Sequence, residues 1–315
     1  MATPDPCPAL ALVPGHGRLR AKPLVATLYG DSLLPHGGGA WLSSVIRLAA
    51  PLGLSERMVR TVVFRLRRDG WLEAEKSGRR SFYRLTAGGC RQFRTAEKRI
   101  YTVPRDDWDG HWTLVVFDGA GPEAARRALL RELGWSGFAP LAPRIIAYPA
   151  REHGILERAL EGSGMRDHVL CLAAETRDGN CEALRRVVAA NWPLDEVGRS
   201  YLQFLERFGR LARRLREGWR PDAVAAFALR TVLIDVYRRT LLRDPALPLP
   251  LLPEDWPGQR AALLTRDIYR HLAGPAQAHV REVLLADGIS APADDSFYAR
   301  FGGLDGGGRG DGLQP

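Results

Sequence analysis

The sequence predicts an α+β protein of several domains: an N-terminal winged helix-turn-helix, a ferredoxin-like middle domain and a helical C-terminal domain. Three observations lead to this fold class. A chain of 315 residues is longer than one small domain. Residues 1–103 contain 17 Lys and Arg against 7 Asp and Glu, so the basic excess of the chain, +9 overall, lies in its first third. Apolar spacing is helical at both ends of the chain and alternates between strand and helix in the middle.

The composition and the N-terminal sequence argue against a membrane protein, a secreted protein and a protein built on zinc or disulfides. No apolar run approaches the roughly 20 residues that span a bilayer, and the N-terminus has no secretory pattern, so we expect a cytoplasmic protein with no membrane partner. The four cysteines form no Cys-x-x-Cys pair, which argues against a zinc site and a disulfide framework. Residues 1–21, rich in Pro, Ala and Gly, predict a disordered arm, and residues 291–315 predict a flexible tail.

Residues 22–103 predict a DNA-binding domain. Residues 41–50 have helical spacing, and residues 51–54 form a Gly-containing turn. Ser55 can cap a second helix by accepting a hydrogen bond from a first-turn amide, and Gly70 ends that helix. One side of the second helix is apolar, with Val59, Val62, Val63 and Leu66, and the opposite side carries Arg57, Thr61, Phe64 and Arg68, with Arg60 at its edge.

The basic side of the second helix suits the major groove, where arginine donates to guanine edges and to phosphates. Since the N-terminal part of such a helix reads bases, the helix start supplies the predicted base readers, and its end is expected to meet the backbone. Strand-like residues 71–76 and 81–86 then form a hairpin, or wing, with two arginines at its tip for a minor-groove or phosphate contact. The predicted DNA-binding residues are Ser55, Arg57, Arg60, Thr61, Arg67, Arg68, Arg79 and Arg80. The alternative is a winged-helix module that binds a protein and no specific DNA.

The remaining chain predicts two further domains, over residues 104–192 and 193–290. The first alternates strands and helices in an order that fits a ferredoxin-like sandwich. The second is helical, and a Pro-rich segment at 247–258 interrupts it. The predicted strands are 111–118, 142–149 and 168–175, with helices at 122–135, 151–160 and 181–192; the C-terminal helices are 195–217, 221–243, 258–273 and 275–287.

Two short motifs raise the question of an enzyme. Gly30-Asp31-Ser32-Leu33 matches the tetrapeptide of an esterase family, and residues 36–39, His-Gly-Gly-Gly, resemble an oxyanion-hole loop. A serine nucleophile needs a base, but the Asp-x-x-His that supplies it in those esterases is absent, since Asp267 and His271 are spaced one residue too far apart. No Gly-x-Ser-x-Gly, nucleotide-binding loop or His-Glu-x-x-His occurs either. We therefore expect no catalytic residue, no metal site and no cofactor; a hydrolase is the more distant alternative.

The stretch YGDSLLPHGGGAWLSSVIRLAAPLGLSERMVRTVVFRLRRDGWL resembles the PaaX family of bacterial repressors of phenylacetate catabolism. GRRSFYRLT, WDGHWTLVVFD, ELGWSGFAPLAPRIIAYP and LRTVLIDVYRRTLLRDPALPLPLLPEDWPG extend the resemblance over about residues 22–287. It implies a winged helix that binds double-stranded operator DNA, a ferredoxin-like dimerisation domain and a helical effector domain. It also implies a homodimer, not an enzyme, that represses an aromatic-acid operon and is released by an aryl-CoA such as phenylacetyl-CoA.

A CoA thioester carries phosphate charges and an apolar acyl group, so its site needs basic clusters beside an apolar pocket. Arginine pairs occur at 126–127, 185–186, 213–214 and 238–239. The last pair is favoured because its helix has an apolar stripe and aromatic residues near it in sequence. The alternative is that Asp235 pairs with these arginines along a helix packed in a core. The predicted effector-binding residues are Arg230, Arg238, Arg239, Trp219 and Tyr237.

Overall fold

The computed structural model describes residues 4–15, 20–104, 108–151, 154–176 and 181–304. The fold mixes helix and sheet, as the α+β prediction requires, and helix predominates. The chain forms two compact units. Unit 1 comprises residues 1–103, 203–239 and 260–315, and unit 2 comprises residues 104–202 and 240–259.

The α-helices and strands are numbered in chain order. The helices are α1 (Ala21–Thr27), α2 (Leu42–Ala49), α3 (Glu56–Arg68), α4 (Ala87–Ile100), α5 (Glu123–Trp135), α6 (Gly154–Glu161), α7 (Cys181–Asn191), α8 (Leu194–Arg216), α9 (Ala223–Leu241), α10 (Pro257–Leu285) and α11 (Asp295–Tyr298). The strands are β1 (Gly39–Trp41), β2 (Leu72–Ser77), β3 (Arg80–Leu85), β4 (His111–Phe117), β5 (Ala139–Ala142), β6 (Ile145–Tyr148) and β7 (Val169–Glu175).

In unit 1, helices α2 and α3 lie in sequence between β1 and β2 of a small antiparallel sheet. A 3-10 turn, Ala50–Leu52, separates α2 from α3. Gly53 follows it with φ +76°, a left-handed conformation that favours glycine. The sheet has the order β1-β3-β2, and the predicted hairpin is confirmed within a residue at each end. These elements lie in the predicted order of helix, turn, helix and hairpin.

The core of unit 1 surrounds helix α9. Its residues from Ala225 to Leu233 are all buried, because a helix that is apolar on every side is stable only at the centre of a fold. Two charged residues, Arg230 and Asp235, lie in this buried helix and have no solvent exposure. Aromatic and aliphatic residues of α8 and α10 complete the core, among them Phe204, Phe208, Leu211, Ile268, Tyr269 and Leu272.

Unit 2 is built on a four-stranded antiparallel sheet with the order β5-β6-β4-β7. One face carries Val115, Phe117 and Ile146, which pack with residues of α5 and α6 in one core. The other face carries Trp112 and Ala147, which pack with residues of α7 and the Pro-rich segment in a second core. The strand predicted at 142–149 corresponds to β6, whereas β5, which precedes it, was not predicted. The structure has two strands joined at Pro143 and Arg144, a turn without the glycine that would have indicated a hairpin.

Two predictions about the chain ends are wrong within the described residues. In the predicted disordered arm, Pro8–Leu12 forms a 3-10 helix and Leu10 and Val13 are buried. In the predicted tail, Arg300 and Phe301 are also buried. Residues 1–3, 16–19 and 305–315 lie outside the described chain. The described parts of the arm and the tail contain apolar side chains that are buried, among them Leu10, Val13 and Phe301, and a composition rich in Pro and Gly does not reveal this.

The prediction of the last C-terminal helices is wrong in one respect. The helices predicted at 258–273 and 275–287 are one helix, α10, which continues through Pro275 because buried Leu272, Ala276 and Val280 pack on both sides of it. Of the residues predicted as a C-terminal domain, 203–239 and 260–290 lie in unit 1, and 193–202 and 240–259 lie in unit 2. Within the described residues, no helix combines the length and apolar character needed to cross a bilayer.

Candidate nucleic-acid interface

Helix α3 is fixed to unit 1 by one face. Val59, Val62, Val63 and Leu66 are each at most 5% exposed, whereas the residues opposite them face solvent. A helix of 13 residues gains most of its stability from such an apolar face rather than from its own propensity. The predicted division of this helix into a packed and a solvent side is confirmed.

The start of α3 is determined by Ser55. Its backbone is extended, and its hydroxyl oxygen accepts a hydrogen bond from the backbone N–H of Met58 at 3.4 Å. This contact satisfies one of the amide groups that the first turn leaves without a helical partner. The predicted cap is therefore confirmed, and Ser55 has a structural reason to be present whether or not it touches DNA.

The solvent face of α3 combines cations with exposed apolar groups. Arg57, Arg67 and Arg68 are exposed, as predicted. Phe64 is 61% exposed and Met58 is 39% exposed, which is unusual for apolar side chains of this size. Arginine can donate to guanine and phosphate, and apolar groups can contact the thymine methyl, so both kinds of major-groove contact are available on one face.

The arginines of α3 differ in how far they are already paired. Arg60 donates twice to one carboxylate oxygen of Glu56, at 2.8 and 2.6 Å, along the same helix. Thr61 donates its hydroxyl to the backbone carbonyl of Arg57 at 2.9 Å. In the described part of the chain, no hydrogen bond or ion pair engages the Arg57 side chain. A contact with DNA through Nε or Nη2 of Arg60 therefore competes with Glu56, whereas every donor of Arg57 is available.

The two predicted arginines of the hairpin are both exposed, but they differ in whether they are already paired. Gly78 turns the chain with φ +57°, and Arg79 beside it is exposed. Arg80 is instead held at the start of β3. Its guanidinium lies 4.3 Å above the ring of Trp41 and donates to Asp287 at 2.7 Å. Both arginines were predicted to contact DNA from the tip; Arg80 is exposed, but a distant carboxylate and an aromatic ring already engage it.

Asp287, which the sequence did not single out, joins the end of α10 to this surface. Its Oδ2 atom accepts hydrogen bonds from the hydroxyls of Ser43, at 2.9 Å, and of Ser44, and from Arg47 at 2.6 Å. Its Oδ1 atom accepts from Arg80. Although its partial burial alone would raise the pKa of Asp287, the serine hydrogen bonds and the two guanidinium groups lower the pKa below its usual value. One carboxylate thus connects α10 to the start of α2 and to the hairpin.

The esterase-like tetrapeptide has a structural role. Asp31 is fully buried, with Arg230 at 3.0 Å and Arg300 at 3.2 Å, and it accepts hydrogen bonds from Tyr101 and Tyr269 at 2.7 and 2.9 Å. Burial raises the pKa of its carboxyl, but the two guanidinium groups and the tyrosine hydroxyls outweigh this and lower it. Asp31 is therefore the buried counter-ion of two arginines.

Neither Ser32 nor His36 has the geometry of a nucleophile and its base. The Ser32 hydroxyl contacts Asp31 at 3.4 Å and Arg230 at 3.2 Å. The ring nitrogens of His36 lie 2.5 Å from the carbonyl oxygen of Ala291 and 2.5 Å from the side-chain nitrogen of Gln277. Throughout the described residues, His, Cys, Asp and Glu form no group of three that could hold a metal ion.

The predicted effector residues do not form a site. Arg230 is entirely buried against Asp31, so no ligand can reach it, and its assignment is wrong. Arg238 donates to Thr27 at 2.8 Å and to the carbonyl of Pro23 at 2.9 Å, while Arg239 pairs with Asp235 at 2.8 Å. Tyr237 is 1% exposed, and Trp219 is half-buried. The alternative is the correct one here, because the salt bridges belong to a helix packed in the core.

Comparison with known proteins identifies the family. Three protein-family sequence models match the chain. The model described as PaaX-like protein matches residues 20–89, the PaaX protein central Cas2-like domain matches 105–185, and the PaaX-like protein C-terminal domain matches 192–282. Transcriptional repressor PaaX of Escherichia coli strain K12 is 38% identical over 286 residues, which cover 89% of this chain and 90% of the relative. An uncharacterized protein from Mycobacterium tuberculosis has a similar fold, with a TM-score of 0.50 and 22% identity over 76% of this chain and 90% of that one. The chain belongs to the PaaX family.

Proposed function

We propose that this protein is a transcriptional repressor that binds operator DNA through α3 and the β2–β3 hairpin. The observation that carries the proposal is the solvent face of α3, which presents exposed arginines and an exposed phenylalanine. Four buried apolar residues on the opposite face pack this helix against the rest of unit 1. Similarity to a relative named as a transcriptional repressor along nine-tenths of both chains supports it.

In this proposal, α2, α3 and the hairpin are a winged helix-turn-helix, with α3 in the major groove. Arg57, at the start of α3, reads a base, because its side chain is exposed and engages no described partner. Arg60 also contacts the groove, where an acceptor on the DNA competes with Glu56 for its donors, and Thr61 contributes from the same face. Arg67 and Arg68 contact phosphates. Arg79 meets the backbone from the hairpin tip.

We propose that the protein acts as a homodimer, since one winged helix buries little DNA surface and a symmetric operator needs two. Unit 2 supports this role. Its strand order and its two helices between strands suit a ferredoxin-like domain. Among the described strands, β7 pairs with β4 alone, and Leu170 and Leu172 on it are 57% and 40% exposed. An edge strand of this kind, whose single charged residue is Glu175 at its end, is a surface for pairing with a second copy.

We further propose that the repressed genes form an aromatic-acid catabolic operon and that an aryl-CoA, such as phenylacetyl-CoA, releases the repressor. This rests on the family resemblance. It fits a cytoplasmic regulator without catalytic activity, in which Asp31 and Ser32 serve the core.

Fluorescence anisotropy tests the proposal. The probes are a duplex enriched from random sequence by repeated selection on the protein, and a scrambled duplex of equal composition. A repressor should prefer the selected duplex by about a thousandfold or more and keep that preference as salt rises. Equal affinities that fall together with salt would identify a non-specific basic protein. Binding to neither duplex would favour the alternative of a winged-helix module for protein partners.

A further inference from the structure

A groove of about 590 Å³ opens on unit 1 between α8 and the first half of α10. Its volume lies within the range of small-molecule sites, roughly 300–1,000 Å³. Its apolar floor consists of Leu205, Ala212, Leu215, Leu263, Leu264 and Ile268. Leu215 and Ile268 are buried, whereas Leu263 and Leu264 are half-exposed. The groove therefore offers apolar surface that a ligand can cover.

The polar rim of the groove is basic. Arg216, Arg260, Arg270 and His271 lie on it, against a single carboxylate, Asp267. That carboxylate is already paired with Arg266 at 2.8 Å. Arg270 donates one hydrogen bond to the carbonyl of Phe301 at 3.0 Å. Within the described chain, the exposed side chains of Arg216 and Arg260 have neither a hydrogen bond nor an ion pair, so their donors are available to an anion.

We propose that this groove is the effector site and that it binds an anionic amphiphile. The apolar part of the ligand covers Leu263 and Leu264, and its phosphate or carboxylate accepts hydrogen bonds from Arg216 and Arg260. A neutral apolar ligand leaves the two guanidinium groups without a partner, and a small anion leaves the leucines uncovered. The regulatory role rests on the proposed function, but the binding itself does not.

Helix α10 gives this site a connection to the DNA-binding surface. Arg260 and His271 lie in its first half, and Asp287, which holds Ser44 and Arg80, follows its last turn. Pro275, between the two, has no N–H to bond to the carbonyl of His271, and helices bend most readily at such a residue. If α10 can bend to different degrees at Pro275, a ligand that binds more tightly to one of these helix conformations favours it and thereby shifts the position of Asp287.

Isothermal titration calorimetry with the full chain tests the proposal without DNA. The probes are phenylacetyl-CoA, coenzyme A alone and phenylacetate alone. The complete amphiphile should bind more tightly than either half. R216A/R260A should weaken phenylacetyl-CoA binding by about tenfold or more, because charge-assisted hydrogen bonds are lost. R213A/R214A removes the same charge from exposed positions of α8 that do not line the groove, and it should change the dissociation constant by less than about twofold.

Leu264→Gln separates the apolar contribution, since it should weaken phenylacetyl-CoA binding but leave coenzyme A binding unchanged. Equal weakening by the two double variants, or binding unaffected by R216A/R260A, would place the ligand elsewhere and overturn the proposal. So would an absence of binding by all three probes, or a change in sedimentation of R216A/R260A that shows the groove to be occupied by a second copy. Operator binding of the unliganded wild type, measured separately, decides the proposed function on its own.

Discussion

Replacing Asp287 with Asn tests whether this carboxylate holds the hairpin away from DNA. Oδ2 of Asp287 accepts from Ser43, Ser44 and Arg47, and Oδ1 accepts from Arg80. An asparagine with its oxygen at the Oδ2 position keeps the serine contacts. Its amide nitrogen then faces another donor, Arg80, and repels it. The substitution should therefore release Arg80 selectively.

The cost to stability should be modest. Arg47 and Arg80 remain 42% and 49% exposed, so each ion pair is screened by solvent and contributes at most about 1 kcal/mol. Asp287→Asn should lower the free energy of unfolding by about 1–2 kcal/mol. Asp287→Ala should cost more, about 2–4 kcal/mol, because the buried hydroxyl of Ser44 then loses its acceptor.

The difference in the free energy of unfolding between wild type and D287N should become smaller at low pH. The folded-state pKa of Asp287 is lowered from the ordinary 3.8. A group of this kind stabilises the protein above its unfolded-state pKa and loses that contribution as pH falls through its folded-state pKa. The gap between wild type and D287N should be constant from about pH 6 to 8 and shrink below about pH 4.

Thermal unfolding measures the stability, and anisotropy with a scrambled duplex measures the effect on DNA binding. The released Arg80 adds one cation, so D287N should bind the duplex more tightly and steepen the slope of log affinity against log salt by about one. Glu206→Gln is the matched control, since it removes one negative charge from an exposed position of α8. Behaviour of D287N indistinguishable from E206Q in both assays would refute the reasoning.

Three further changes test the interface and the core. Arg57→Ala should weaken operator binding by about 1–3 kcal/mol in anisotropy, and more than Arg60→Ala, since Glu56 already engages Nε and Nη2 of Arg60; equal losses would remove this distinction. Arg79→Ala should reduce the salt slope by about one, and an unaltered slope would show that the hairpin tip does not contact phosphate. Asp31→Asn should destabilise the protein by about 3–5 kcal/mol in thermal unfolding, because it leaves two buried guanidinium groups without their carboxylate; a loss below 1 kcal/mol would contradict the buried pairing.

The candidate interface could be predicted from sequence where its causes are local. The spacing of Val59, Val62, Val63 and Leu66 determines which side of α3 packs, because a helix repeats every 3.6 residues whatever surrounds it. Ser55 and Gly70 bound the helix through contacts within a few residues. The basic excess and the family resemblance were likewise visible in the chain alone.

Only the tertiary structure decided which charges are available. Arg80 and Asp287 are separated by 207 positions, and Asp31 and Arg300 by 269. The sequence contains many arginines and carboxylates, and nothing local determines which of them meet. For that reason the sequence did not reveal that Asp287 engages Arg80, Arg230 was mistaken for an effector ligand, and residues near 300 were mistaken for a tail. An arginine that no carboxylate engages can donate to DNA or ligand without giving up an ion pair, and for residues such as Arg80 this depends on the packing of distant segments.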